Sequence, residues 1–403
     1  MKEWKTYKVG DICSSISETY KSKSKSVVLI NTSDVLEGRC LNHEFVPNKD
    51  LKGQFKKVFK FGDILYSEIR PANKRFAYID FDATDYIAST KLMVLRNNDK
   101  VTNRFLYHYL KSESTIAELQ ALAESRSGTF PQITFSELSQ LEISIPDIET
   151  QLAISSFIDT LESKIELNRQ INDNLEQQAQ ALYRSWFVDF EPFKEGKFIE
   201  SEIGEIPAGW SIVKFGDIVE IPKKTINPQK FPDTIFNHYS LPACDNGLIA
   251  EVQAGKDIMS NKIILQSNTT LFSKLNPRIK RIWFTCEVLP NSICSTEFIP
   301  YRAKIDTEYS YIFSIVNSDA FYSSVMGCVN GATGSHQRFH AEDTEDFLCA
   351  YNKDAVNEFS KLIEPVLKQM HDLRQENVKL ALTRDTLLPK LMSGELKINE
   401  IDC

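Results

Sequence analysis

Basic and amide-bearing side chains gather in three turns of the first half of this 403-residue chain, and again in three turns of the second half. The first set is Lys21, Lys23 and Lys25, then Arg70, Asn73, Lys74 and Arg75, then Arg126, Thr129 and Gln132. The second is Lys223 and Lys224, then Arg278, Lys280 and Arg281, then Ser335, His336, Gln337 and Arg338. Lys and Arg neutralise phosphates, while Arg, Asn and Gln can reach base edges through paired hydrogen bonds in the major groove. Any one of them alone reads equally well as a solvated turn residue. The clusters, at matching places in two halves, say more than their members.

Other chemistry is sparse. The chain has no GxxxxGK[ST] loop for nucleotide phosphates and no GxGxxG after a strand. It lacks the Asn-Pro-Pro-aromatic run that a fused adenine methyltransferase would show. His336 and His340 stand four apart with Cys328 and Cys349 flanking, but Gly331 and Gly334 argue for a loop rather than a helix aligning two ligands. No metal site is expected. Asp189 with Glu195-Gly196-Lys197 loosely resembles a nuclease Asp…Glu-x-Lys set, yet it lies in a charged linker with no strand to hold it.

The formal net charge is −8, but it is unevenly spread. Residues 1–145 carry 21 Lys+Arg against 18 Asp+Glu, whereas 146–206 carry 5 against 13. Residues 207–352 hold 13 against 15, and 353–403 hold 8 against 9. The acid is concentrated in one segment, so basic clusters elsewhere remain free to meet a phosphate backbone. MKEWKTYKVGDICSS has no apolar run behind its first lysines, and no stretch of 18 apolar residues occurs, so neither a signal peptide nor a membrane span is expected. Eight scattered cysteines without a CxxC pair point to a reducing, cytoplasmic setting.

The elements that must position the clusters come in two copies. WKTYKVGDIC begins at Trp4 and WSIVKFGDIV at Trp210, an offset of 206. At that offset LYSEIRPANKR (65–75) lies over LFSKLNPRIKR (271–281), AST (88–90) over CST (294–296), and VTNRFLYHYLKS (101–112) over TEYSYIFSIVNS (307–318). SGTFPQ (127–132) resembles TGSHQ (333–337) after one deletion. Such spacing is far beyond solenoid periods and reads as tandem duplication of a whole domain. Residues 26–31, 58–66, 76–81 and 91–95 have strand chemistry, while 102–112 and 115–125 suit short helices. Each copy is therefore an α+β domain.

A 4-3 stripe follows each copy. In the first, Ile154, Ile158, Leu161, Ile165, Asn168, Asn172, Leu175, Ala179, Leu182 and Trp186 keep the step. In the second, Phe359, Ile363, Val366, Met370, Leu373, Asn377, Leu380, Arg384, Leu387 and Leu391 do so at an offset of 205. A stripe sustained over four heptads marks a long helix in a coiled coil. The alternative is a helix lying on its own domain; matched length, register and the seam residues Asn172 and Asn377 favour pairing. Pro146 stops what precedes, and Asp147 or Thr150 suits the helix cap. Pro365 sits inside the second stripe, which predicts a kink or a helix starting near Glu364. The division is 1–145, helix 146–187, acidic linker 188–206, 207–352 and helix 353–403.

The Trp-x3-Lys-x-Gly-Asp-Ile openings, EIPAGW before the second copy, GDIL at 62–65, SGTFPQIT with IPDIETQ, and two matched helices resemble the specificity subunit of type I restriction-modification enzymes over essentially the whole chain. That resemblance implies two target-recognition domains, each reading one half of a split double-stranded DNA sequence, held apart by an antiparallel coiled coil. It implies a non-catalytic subunit in defence against foreign DNA, partnered by methyltransferase subunits, two in number, and by restriction/translocase subunits. S-adenosylmethionine, ATP and Mg²⁺ would belong to those partners, whose holoenzyme is an ATP-dependent endonuclease and adenine-N6 methyltransferase. What the copies share, such as Trp4, Gly10, Asp11, Trp210, Gly216 and Asp217, would be scaffold. Two rival readings stay open: a coiled-coil scaffold whose two domains bind protein, and an enzyme with a degenerate nuclease or methyltransferase site.

Overall fold

The computed structural model describes residues 4–400, apart from positions 23, 50, 52, 127–128 and 330–336. It divides into two compact units, one formed by residues 1–163 with 381–403 and the other by residues 164–380. Each unit therefore holds one globular domain and one end of each long helix.

In the first unit, alternation along the strands sends side chains to two different cores. Cys13–Ile16, Leu92–Asn97, Ile64–Ser67 and Phe76–Tyr78 form one antiparallel sheet. Leu65, Ala77, Leu92 and Val94 face a second sheet, packing with Val28, Ile30 and Ala88. That second sheet runs Phe45–Pro47, Ser26–Ile30, Tyr86–Ser89, Phe55–Lys57, with the central pair parallel. Ile64, Tyr66, Phe76 and Met93 point the other way, onto the helices Asn103–Leu110 and Glu113–Arg126. Strand Lys5–Lys8 pairs with Glu142–Ile145, so the domain closes where it began.

The second unit repeats the plan. Val219–Glu220, Phe298–Ala303, Thr269–Ser273 and Ile282–Thr285 form one sheet, and Thr225–Ile226, Lys262–Ile264, Ser292–Ser295, Ile235–Tyr239 and Glu251–Ala254 the other. Ser211–Lys214 pairs with Leu348–Tyr351 as the closing strand. The shared glycines prove to be close-approach positions. Gly10 N–H donates to Ser139 O and Gly216 N–H to Glu345 O, both at 2.9 Å. A Cβ on either would come within 3.0 Å of the neighbouring Cβ. Trp210 is buried among Phe187, Phe190 and Phe193, and Trp4 lies against Gly394, so the tryptophans are scaffold as well.

The central helix spans Ile148–Phe187, capped by Asp147, whose carboxylate accepts from the backbone N–H and the hydroxyl of Thr150. The C-terminal helix runs Lys353–Ser393 without a break at Pro365. The expected late start is absent: the helix continues through Pro365, and Pro365 and Lys361 both lie on the exposed face, where water can satisfy the carbonyl that proline leaves unbonded. Within each unit the two helices pair antiparallel. Ile154 and Ile158 pack with Leu388 and Leu391 in the first unit, and Tyr183 and Phe187 pack on Phe359 in the second.

Of the expected seam, Ile158, Ile165, Asn172, Ile363, Met370 and Asn377 are buried, while Leu161, Leu175, Leu182, Leu380 and Leu387 are half-buried. Tyr183, Phe187, Leu367 and Leu388 are buried instead, because the helix ends enter domain cores and need a wider apolar face than a two-stranded seam. An asparagine contact crosses the pair, from Asn168 Nδ2 to Asn377 Oδ1 at 2.9 Å. The segment 188–206 is more ordered than a linker: Phe198–Ser201 and Gly204–Pro207 form a hairpin, and Phe190 and Ile206 are buried in the second core.

Candidate nucleic-acid interface

In each domain three chain segments converge beyond the end of a central strand. In the first, Glu68 N–H donates to Lys91 O (3.0 Å), Arg70 N–H to Pro131 O (3.1 Å), and Ile133 N–H returns to Glu68 O (2.9 Å). In the second, Lys274 N–H donates to Glu297 O (2.9 Å) and Asn276 N–H to Gln337 O (2.8 Å). Isolated bridges join Ile69 to Gln132 and Leu275 to Arg338. These bonds correct the repeat alignment. Gln132 corresponds to Arg338 and Pro131 to Gln337, so the 206-residue offset continues with no deletion.

Around this convergence the basic side chains divide into two kinds. Arg70, Asn73, Thr129 and Arg126 are exposed in the first domain, with Arg70 Nη2 donating to Thr129 O at 3.4 Å. Arg126 pairs with Glu137, Lys74 with Glu113, and Arg75 donates to the carbonyls of Ser33 and Val35. In the second domain Arg278 and Lys280 are both exposed, and Lys280 also donates to Asn317 O and lies near the Tyr322 ring. Burial lowers the Lys280 pKa. Arg281 grips Asp245 bidentately at 2.6 and 2.9 Å. Lys21 and Lys25 are exposed on a loop whose Tyr20 and Ser24 hydroxyls both donate to Asp85. Lys223 and Lys224 are exposed before Thr225–Ile226. Gln337 is half-buried. Lys23, Ser335 and His336 lie outside the described residues, which leaves the His336–His340 pairing there too.

Arg70 and its counterpart Asn276 both adopt left-handed backbone, with φ of 44° and 48°. Asparagine tolerates this region; a long side chain such as arginine pays strain of about 1–3 kcal/mol for it. Arg70 is thus held in place at a cost, on the exposed rim of the convergence. Such strain gathers at functional positions.

Sequence reasoning missed four charged residues at the same place: Glu68 and Lys91 beside Gln132, and Lys274 and Glu297 beside Arg338. Their signal was available as mismatches at offset 206, where glutamate faces lysine in both pairs. It also missed a network behind the first domain. Arg104 and His108, on one helix, and Lys111 just after its end reach toward Asp159 and Glu162 of the central helix, with Arg384 approaching Glu162. Among the described residues His108, Asp159 and Glu162 are the one group close enough to hold a metal ion. Three cationic side chains already occupy their surroundings, so this set serves as an ion-pair anchor and does not suit a divalent cation.

Burial alone would raise the Asp159 pKa; hydrogen bonds from His108 and Arg104 outweigh it and hold the carboxyl at about 2. Burial lowers the pKa of His108. Asp159→Asn is expected to destabilise the first unit by about 2–4 kcal/mol, by leaving a desolvated Arg104 uncompensated. Because the folded-state pKa lies below the ordinary value, the carboxylate's contribution is complete above about pH 4 and is lost as pH falls toward 2. Denaturant unfolding of parent and variant from pH 2 to 7 checks both points. A stability difference unchanged across that range would contradict the assignment.

Comparison with known proteins agrees with this architecture. Residues 1–177 match the type I restriction modification DNA specificity domain. The chain is 50% identical to the type I restriction enzyme HindI specificity subunit of Haemophilus influenzae, over 98% of this chain and 100% of that protein. It is 22% identical to the MjaIX specificity subunit of Methanocaldococcus jannaschii, over 88% and 82% of the two. In fold it is similar to the crystal structure of a type I restriction-modification system S subunit from M. genitalium, with a TM-score of 0.52, 16% identity, and 97% and 96% coverage. No helix among the described residues is long and apolar enough to cross a membrane. The duplicated α+β domains, the paired long helices and the near-complete match to HindI place this chain in the family of type I restriction enzyme specificity subunits.

Proposed function

We propose that the chain reads a two-part DNA sequence, one half with each domain, and presents that sequence to methyltransferase and restriction subunits without catalysing a reaction itself. The observation that carries this reading is the convergence of three segments built twice, with two backbone bonds and one isolated bridge at equivalent places in both copies and exposed basic side chains nearby. Nothing favours the alternative of a protein-binding scaffold. The near two-fold repetition of domain and helix supports two methyltransferase subunits per chain. S-adenosylmethionine, ATP and Mg²⁺ then reside on the partners, in keeping with a sequence that lacks nucleotide-binding loops, and the assembly works in the cytoplasm.

Arg70 provides the test. Arg70→Asn installs the residue found at the equivalent left-handed position 276. The variant is expected to be more stable by about 1 kcal/mol, while the salt slope of DNA binding by the complex falls by ~1 for the lost phosphate contact. Titrations of duplex DNA at several salt concentrations, beside thermal melts, separate the two effects. An unchanged salt slope would remove Arg70 from the DNA surface.

A further inference from the structure

The two domains place different chemistry on one scaffold position. Gln132 and Arg338 are bridged to the same backbone site, Ile69 and Leu275, and are followed by the fully buried Ile133 and Phe339. Both side chains are half-buried, and each is oriented by a neighbour from the same adjacent turn. In the first domain Lys91 Nζ donates to Gln132 Oε1 at 3.3 Å and pairs with Glu68 at 3.5 Å. In the second, Glu297 accepts from Arg338 Nε and Nη2 at 3.1 and 3.2 Å. The orienting residue has changed sign with the residue it orients, lysine for the amide oxygen and glutamate for the guanidinium. Position 68 has changed with it, to Lys274.

The bonds that fix these groups leave their reading edges open. Glu297 takes the Nε side of the guanidinium, so the Nη1–Nη2 edge has no partner among the described residues and can donate twice. That edge matches the O6 and N7 acceptors of guanine. Lys91 takes one lone pair of Gln132 Oε1. The amide nitrogen is left to donate to N7 of adenine, and the second lone pair to accept from its N6 amino group. A phosphate contact would require neither a fixed plane nor a matched orienting partner. On the reading that these domains recognise DNA, we propose that Gln132 and Arg338 occupy one shared readout position, Gln132 selecting an adenine in one half-site and Arg338 a guanine in the other, with Lys91 and Glu297 as positioning residues.

The experiment uses the complex with its methyltransferase subunits, a plasmid library of randomised sequence and detection of the methylated sites. Converting the second domain with Arg338→Gln, Glu297→Lys and Lys274→Glu should replace a guanine by an adenine at one position of its half-site, a preference change of about tenfold or more. The other half-site should stay as it was. The reciprocal set, Gln132→Arg with Lys91→Glu and Glu68→Lys, should make the opposite change in the first half. Arg338→Lys, which keeps the charge but loses the fork, should weaken the guanine preference about tenfold with an unchanged salt slope; it decides the matter should a triple variant fail to fold. Variants that methylate the parental sequence with only a lower rate overturn the assignment while leaving two-part recognition intact. A parent complex that methylates without sequence preference overturns both.

Discussion

Replacing residues 1–145 with the corresponding domain of another specificity subunit is expected to change one half of the DNA target and leave the other half unaltered. The closing strand pair makes this graft feasible. Lys5 sits opposite Ile145 and Lys8 opposite Glu142, so both junctions fall at one edge of the domain. Among the described residues its larger core takes in Ile154, Ile158, Leu388 and Leu391 from the ends of the long helices. The graft must keep Arg104, His108 and Lys111, since Asp159 and Glu162 wait on the central helix for those partners. Each mismatched base pair costs about 1–3 kcal/mol, so losing the base contacts of one half should lower methylation of the old target by roughly a thousandfold or more. Sequencing the methylated sites of the chimera reads this directly. A chimera altered in both halves would mean that the domains read DNA jointly.

Lengthening both helices by one heptad should widen the gap between the half-sequences while keeping each half the same. Where the residues go matters. Asn168 meets Asn377 and Phe187 meets Phe359, so partners run in opposite directions and their numbers add to a nearly constant value. Points equivalent in the repeat, such as Leu175 and Leu380, are therefore not opposite one another. Seven residues after Gln170 and seven after Gln375 lie nearly opposite and keep the apolar stripe in phase. The insertion adds ~10 Å of helix, or about three base pairs at ~3.4 Å each. At the original gap one half should lose its contacts, with a drop of about a thousandfold. Full activity at that gap would leave the helices as docking surfaces with no part in spacing.

Much of this organisation was legible in the sequence, for reasons that differ by element. The duplication announced itself because glycines 10 and 216 and the buried tryptophan cannot be exchanged without a clash or a cavity. Helix pairing was legible from the stripe, but the partner of each residue was not. An offset of 205 relates copies, whereas contact depends on chain direction, and so the asparagine opposite Asn377 proved to be Asn168. Pro365 misled because a proline's cost depends on whether water reaches the freed carbonyl. Basic turns were found, but composition cannot tell Arg70, held on the rim, from Arg75 or Arg281, whose guanidinium groups are taken up by the fold. The hairpin in 188–206 hid behind its charge.

The reversed charges at 68/91 and 274/297 also bear on the history of the duplication. Starting from a copy with Glu68, Lys91 and Gln132, an arginine at the third position would face lysine across the same short distance at which Arg338 now meets Glu297. A lysine at the first position would likewise confront a lysine where Glu68 now pairs at 3.5 Å. Like charges so placed repel, so most single steps between the two states pass through a less stable protein. The glutamate at the middle position must arise before or together with the arginine. Descent from a common domain thus had a preferred order of mutations, set by the charges at the orienting positions and not by the third residue alone.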